Sequence, residues 1–315
     1  MFIPHLREVQ DALLAWHLEH GMHAPWRESG DPYETMVAAV MAQQTQMSRV
    51  IASYERFIAA FPTVEALAAA SAGDVIRTWA GMGYNSRAIR LHRAAKTIVE
   101  HGWPHDAAAL ATIDGIGPFT AAIIASFAFA EAAACVDTNV RRVLGRLSGD
   151  EGVEGKRLQT LADAYLSVSE PARWNQAVMD YGASVCVARP RCGECVIAGW
   201  CASRDRHAAR PSLTMVADER ATYGTSPEGA AAASVRRVRA TKRDAPFVRS
   251  TRYYRGRIID ALRALPRGGT IAITTLPSLI AAAPMPADDQ VRELVRALQR
   301  DGLVALAGDR ISLPD

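Results

Sequence analysis

No apolar run in this chain reaches the roughly 18 residues that a membrane span requires, and residues Met1 to Arg7 lack the basic-then-apolar order of a secretory signal. No membrane partner is therefore expected, and a cytoplasmic location is. Cysteine is scarce: five in 315 residues do not make the disulfide framework of a small secreted protein. A dominant charge is missing too, because a net charge of +3 is too small to argue for a polyanionic partner from bulk electrostatics. Hydrophobic content of 49% and charged content of 22% exclude disorder and little else. The length is enough for two domains and a substantial core.

What is present is helical periodicity. Apolar residues recur at helical spacing in Val9, Leu13 and Trp16, in Met36, Val40 and Met41, and in Val50, Tyr54, Phe57 and Ile58. Helix stops fall at Gly81 and Gly83, at Gly102 with Pro104, at Gly115, and between Gly145 and Gly152. Residues 1–205 therefore read as all-α. Residues 206–248 lose the pattern and read as a flexible basic linker. Between Arg236 and Arg257 there are nine Arg or Lys and a single acid, Asp244, which suits either a phosphate-contacting arm or a solvated linker. In residues 249–315, Ile258, Leu262 and Leu265 mark one helix, and Val291, Leu294, Val295 and Leu298 another. Two short strands follow around Gly308 and Asp309. This order suggests a small winged-helix-like α+β unit.

Two local constellations carry chemistry. Residues Ile113 to Thr120 read I-D-G-I-G-P-F-T, in which Gly115 and Gly117 permit a sharp turn and close approach. The amides of Gly115, Ile116, Gly117 and Thr120 at the following helix start then form a phosphate site. Asp137 follows in V-D-T-N-V-R-R-V, a carboxylate about one helix downstream that can also cap the next helix. The second constellation is Cys186, Cys192, Cys195 and Cys201, spaced C-x5-C-x2-C-x5-C, which suits a tetrahedral zinc or a cubane iron-sulfur cluster. Cys135 stands apart on an apolar stretch and reads as a buried small hydrophobe.

Together with M-A-Q-Q-T-Q (Met41 to Gln46), these motifs resemble the helix-hairpin-helix DNA glycosylases of the endonuclease III and MutY group. G-M-G-Y-N-S-R-A (Gly81 to Ala88) and P-W-R (Pro25 to Arg27) lean toward the MutY branch. The resemblance covers about residues 10–205 and implies a two-lobed helical fold with a C-terminal iron-sulfur cluster loop. It implies a [4Fe-4S] cluster on the four cysteines, and as partner double-stranded DNA with a mismatched or damaged base. A monomer, associated with the nucleoid, is expected. Gln44 would fill the gap left by a flipped nucleotide, Tyr84 would wedge beside the opposite base, and Gln43 and Arg87 would contact DNA. Asp137 would stabilise positive charge on the sugar as the glycosidic bond breaks, with Asn139 steadying it. The residues after 249 are similar to short C-terminal extensions of some actinobacterial MutY-like proteins and not to the longer Nudix-like domain of others.

Three departures bear on chemistry. Bifunctional relatives place a lysine nucleophile two residues after the second hairpin glycine, where this chain has Phe119. A monofunctional, hydrolytic enzyme with Phe119 at the catalytic position is therefore expected. Adenine-excising relatives carry a glutamate five residues before the second Gln of Q-Q-T, where this chain has Ala39. That glutamate protonates the departing purine, whereas uracil or thymine can leave as an anion. The leading expectation is thus excision of uracil or thymine opposite guanine. Adenine excision opposite 8-oxoguanine or guanine is the alternative, and a damage-binding protein with reduced catalysis a further one. The third departure is the x5 gap between Cys186 and Cys192, one residue shorter than the family's x6.

Overall fold

The computed structural model describes residues 3–208, 250–280 and 287–315. The linker read over 206–248, and the basic stretch from Arg236 to residue 249, lie almost wholly outside them. Helices α1 (Leu6–His20), α2 (Pro25–Glu28) and α3 (Pro32–Ala42) open the chain. They are followed by α4 (Met47–Ala60), α5 (Val64–Ala69), α6 (Ala72–Thr78), α7 (Ser86–His101), α8 (Ala107–Leu110) and α9 (Pro118–Ala128). Side-chain caps fix several starts: Asp31 accepts from the Tyr33 amide at 2.7 Å, Ser71 from Asp74 at 3.0 Å and Asp106 from Ala109 at 2.8 Å, each worth about 1 kcal/mol. From α2 to α9 these helices enclose one core around Met36, Phe57, Leu67, Trp79, Leu91 and Ile124. Each such side chain contributes about 1.5–3 kcal/mol by leaving water.

A second lobe forms when α10 (Thr138–Ser148), α11 (Gly155–Tyr165) and α12 (Pro171–Ser184) return against α1. Its core holds Leu13, Val143, Leu144, Tyr165, Trp174 and Tyr181. On α10, Val140, Val143, Leu144 and Leu147 are all buried, the stripe a helical period requires. Gly145 lies inside α10 rather than ending it; the stop is Gly149, left-handed at φ 81°. Arg27 on α2 makes a two-pronged ion pair with Asp180 on α12, at 2.7 and 2.9 Å. Burial pushes the Asp180 carboxyl up, but the neighbouring His17 ring at 3.4 Å and the Arg27 guanidinium outweigh it and hold the group well below the ordinary range. The P-W-R segment is thus a brace between lobes. α13 (Arg204–Ala208) follows the cysteine loop.

The C-terminal unit runs α14 (Thr251–Arg263), β1 (Ile271–Ala272), α15 (Leu276–Ile280), α16 (Asp288–Arg300), β2 (Ala305–Ala307) and β3 (Arg310–Ser312). Its antiparallel sheet has the order β1-β3-β2, with Ile271 opposite Ile311 and Leu306 opposite Ile311. The winged-helix-like arrangement is therefore present, completed by β1 and α15, which sequence periodicity did not reveal. The unit docks on α6 and α7: Ile76 and Ile89 enter its core. Arg77 donates to the Arg263 and Leu265 carbonyls at 2.8 Å, Arg263 to Ile76 O at 2.9 Å, and Arg267 grips Asp74 at 2.9 and 3.0 Å. Among the described residues no helix is long and apolar enough to cross a membrane.

Candidate active site and duplex-binding surface

The hairpin is built by sterics. Gly115 adopts φ 97°, and a Cβ there would sit 2.6 Å from the Arg90 carbonyl oxygen, so any side chain meets both a strained backbone and a wall. Gly117 has an ordinary φ of −80° and open space around it. The Ile116 amide is used inside the turn, donating to Ile113 O at 3.0 Å. Ile116 is buried, so neither its amide nor its side chain is the phosphate contact expected from sequence. Thr120 is likewise buried, and its Oγ1 accepts from Gln43 Nε2 at 3.2 Å, which ties the partly exposed Gln43 to the start of α9. The amides of Gly117, Phe119 and Thr120 have no backbone partner among the described residues, which leaves donors at a helix start, a geometry that suits an anion. Gly115→Ala is expected to lose about 2 kcal/mol or more of stability in urea unfolding, since left-handed alanine is strained and the clash adds to that. Gly117→Ala is expected to keep its unfolding midpoint and to weaken duplex binding. Equal stability losses in both would contradict this division.

Gln44 and Tyr84 are both exposed and both left-handed, at φ 54° and 44°. Such strain costs about 1–3 kcal/mol per residue and persists only where surroundings impose it. Arg87 imposes it here. Its guanidinium donates to the carbonyls of Val40, Met41 and Gln43 at 3.0, 3.0 and 2.6 Å, to Met82 and Gly83 at 3.0 and 3.3 Å, and to Thr45 Oγ1 at 3.2 Å. The sequence suggested Arg87 as a DNA contact; at 3% exposure it is instead an internal staple joining the Gln44 loop to the Tyr84 loop. Burial lowers its pKa to about 10, so it remains a cation at neutral pH.

Asp137 caps α10. Its Oδ1 accepts from the Val140 amide at 2.7 Å and its Oδ2 from Asn139 Nδ2 at 3.1 Å. Burial raises its pKa, opposed by these hydrogen bonds and by the Arg142 charge. The approach to Asp137 is fixed by buried Asn175, which accepts from the Cys135 amide at 2.9 Å and donates to Ala133 O at 2.9 Å. At the seam between the lobes, Ala39, Ala122, Ile123 and Cys135 form a small apolar cluster with Phe119 and Met179 packed against it. Ala39 and Phe119 thus meet in one apolar wall. Burial, with the Asp137 charge adding to it, pushes the Cys135 thiol up, as expected of an inert core cysteine. Glu34 lies at the far end of α3, beside the Tyr54 hydroxyl, and does not replace a carboxylate at position 39.

The carboxylate is tied to the cysteine loop. Asn139 Oδ1 accepts from Arg142 Nη2 at 2.7 Å, while Arg142 also donates to Cys186 O at 2.6 Å and Gly182 O at 2.5 Å. Gly182 permits this contact, because a Cβ there would lie 2.7 Å from Asn139 Cβ. One turn on, Arg146 donates to Cys186 Sγ at 3.4 Å and to the Val187 and Ala188 carbonyls at 2.7 and 3.0 Å. Cys186, Cys192, Cys195 and Cys201 line one pocket with Tyr181 and Ile197. No three Cys, His, Asp or Glu side chains among the described residues converge as a single metal ion would require; a tetrahedral zinc needs its sulfurs about 3.8 Å apart. Sequence reasoning missed Arg142, Arg146, Asn175 and Gly182. The one local signal was two arginines four residues apart on the helix that Asp137 starts.

This combination of hairpin, capped carboxylate and cysteine loop defines a class, and comparison agrees: the chain belongs to the HhH-GPD superfamily of base excision DNA repair proteins, whose family model matches residues 37–165. Within it the chain is MutY-like. It is 36% identical to an adenine DNA glycosylase of Mycobacterium tuberculosis over 82% of this chain and 80% of that one. It is 35% identical to the adenine DNA glycosylase of Homo sapiens over 62% of this chain and 39% of that protein. Among solved structures, a thermostable thymine-DNA glycosylase shares the fold at TM-score 0.61, with 24% identity over 64% of this chain and 97% of that one. An endonuclease III in a trapped covalent complex with DNA does so at TM-score 0.57, with 20% identity over 66% and 99%.

Proposed function

We propose that the protein is a monofunctional, MutY-type DNA glycosylase that removes adenine from a mismatch with guanine or 8-oxoguanine and leaves an abasic site. The observation that carries hydrolytic base removal is Asp137, a carboxylate held by two hydrogen bonds beside an apolar seam, with the hairpin amides available to a phosphate. The target nucleotide rotates out of the duplex at a cost of a few kcal/mol, least at a mismatch. As the bond between C1′ and the base nitrogen breaks, the base takes the electron pair and the Asp137 carboxylate stabilises the cationic sugar. Water then adds to C1′, and the proton it releases ends on the departed base anion, so that an abasic sugar and the neutral base result. Phe119 offers no amine, so no covalent imine forms on that residue. Similarity to adenine glycosylases over 82% of the chain favours adenine as the base.

A second reading, release of uracil or thymine opposite guanine, is favoured by one feature: Ala39 in its apolar cluster supplies no proton to a departing purine. A panel of duplexes carrying A·G, A·8-oxoguanine, G·U and G·T, treated with alkali after reaction, separates the two. Strand cleavage at adenine is expected. Cleavage confined to G·U and G·T would replace this reading by the second, and tight binding without any cleavage would leave only a damage-binding protein.

The four cysteines would hold a [4Fe-4S] cluster, which when bound ties the 186–201 loop together. The donor set fits, since four cysteine sulfurs line one pocket and Arg146 and Arg142 lie beside it to offset thiolate charge. Brown protein absorbing near roughly 400 nm supports the cluster; colourless protein with stoichiometric zinc refutes it. We further propose residues 1–205 as the catalytic domain and 249–315 as an accessory domain joined by the basic segment, acting as a monomer on chromosomal DNA in the cytoplasm.

A further inference from the structure

The C-terminal unit reaches past its docking surface to the loop that carries Tyr84. Arg263, at the end of α14, has a side chain only 12% exposed. Its Nη1 pairs with Asp260 Oδ1 at 3.0 Å, its Nε donates to Ile76 O at 2.9 Å and its Nη2 to Asn85 Oδ1 at 2.8 Å. Arg77 fixes the base of this side chain by donating to the Arg263 carbonyl at 2.8 Å. A cation so enclosed and so neutralised is not available to a phosphate, and its role lies in what it holds. Asn85 stands at the N-cap of α7, where asparagine ordinarily caps its own helix, yet its side chain makes no such bond. Its oxygen is turned to Arg263 instead.

Tyr84 is consequently held from both sides. Before it, Trp79 Nε1 and the Arg87 guanidinium donate to Gly83 O at 3.1 and 3.3 Å; after it, Arg263 holds Asn85. Helix α14 also meets the Tyr84 ring, through Arg252 at 3.6 Å from the centroid. A left-handed tyrosine at φ 44° persists only where its surroundings over-determine it, and part of that constraint comes from a unit outside the two helical lobes. The hairpin is close. Ser86, which begins α7, is four residues and about 6 Å of helix axis from Arg90, whose carbonyl abuts Gly115. We propose that Arg263 is a positioning residue for duplex recognition, which through Asn85 presets Tyr84 to enter the base stack at a weakened pair. This rests on the glycosylase reading, because that duplex is its substrate. A paired site is gripped through its phosphates, whereas a mismatched one opens at least cost and uses the wedge. Loosening Tyr84 adds an ordering cost to that second mode alone.

The test is fluorescence anisotropy of labelled mismatched and fully paired duplexes with the full chain, read as the ratio of the two affinities. Asn85→Ala and Arg263→Gln are each expected to lower that ratio by about five- to tenfold, the scale of one hydrogen bond. The double variant should lose no more than either alone, since both act through one contact. Asn85→Asp keeps the accepting oxygen and should keep the ratio, its added charge weakening both duplexes alike. Arg267→Ala removes an exposed docking pair made with Asp74 on α6 and should leave the ratio unchanged. Thermal unfolding accompanies each variant, and if Arg263→Gln unfolds, Asn85→Ala against Asn85→Asp decides. An unchanged ratio in Asn85→Ala, additive losses in the double variant, or an equal fall in Arg267→Ala overturns the proposal, while base release by the unaltered protein still upholds the glycosylase reading. If the unaltered protein neither prefers the mismatched duplex nor releases a base, both fall.

Discussion

Replacing Ala39 by glutamate is expected to raise the single-turnover rate of adenine release by about 10²- to 10⁴-fold, the usual contribution of a placed general acid. Ala39 is 8% exposed and packs with Ala122, Ile123 and Cys135 against Phe119. A carboxyl introduced into that wall would be desolvated, its pKa raised, and so protonated closer to neutral pH than an exposed glutamate. It could then donate to the purine as the bond to the sugar breaks. The gain should fall off as pH rises through that raised value, and Ala39→Gln, which has no acidic proton, should show none of it. Uracil release from G·U, which needs no ring protonation, should not rise in either variant. Overpacking the seam costs about 1–3 kcal/mol, so thermal unfolding is measured alongside. A folded Ala39→Glu protein with unchanged adenine release would mean that the proton comes from elsewhere or that adenine does not enter the seam.

The parts of this site that sequence exposes are those fixed by local chain chemistry. Gly115 is legible because a tight turn with left-handed backbone leaves few alternatives to glycine, and Asp137 because a helix start wants an oxygen acceptor at that position. The cysteine spacing is legible because four cysteines within one short loop return to line a single pocket. Arginine has no such local signature. Arg87 reads as a cation available to phosphate and is instead enclosed by six acceptors; Arg142 drew no reading from the sequence, yet links Asn139 to Cys186. Both roles depend largely on backbone carbonyls brought close by the fold. The two-residue strand β1 escapes periodicity for a similar reason, since Ile271 is specified by pairing with Ile311 and not by its own neighbours. Gly145 misleads in the opposite direction: it reads as a stop, but tolerates the helix interior where the Asp150 carbonyl approaches its missing Cβ at 3.0 Å.

Asp137→Asn is expected to bind mismatched duplex with near-normal affinity and to lose at least about 10²- to 10³-fold in base release, the scale on which one electrostatic stabiliser acts. Asparagine still caps a helix well, so the α10 start survives while the charge does not. The pH dependences of activity and stability should run in opposite directions. Burial raises the Asp137 pKa in the folded protein, so its contribution to stability is fully present below the unfolded value and is lost as pH rises through the folded one. At neutral pH the ionised group therefore opposes folding, and the asparagine variant should unfold at the same temperature or higher. Activity needs that same ionised form, so the unaltered enzyme should slow as pH falls through the raised value, above where an ordinary exposed aspartate titrates. Arg142→Gln removes a charge that favours the carboxylate and should move this acidic limb to higher pH. Full turnover by Asp137→Asn would overturn the assignment of Asp137 to the chemistry, and a collapse of its unfolding temperature would reduce Asp137 to a structural cap.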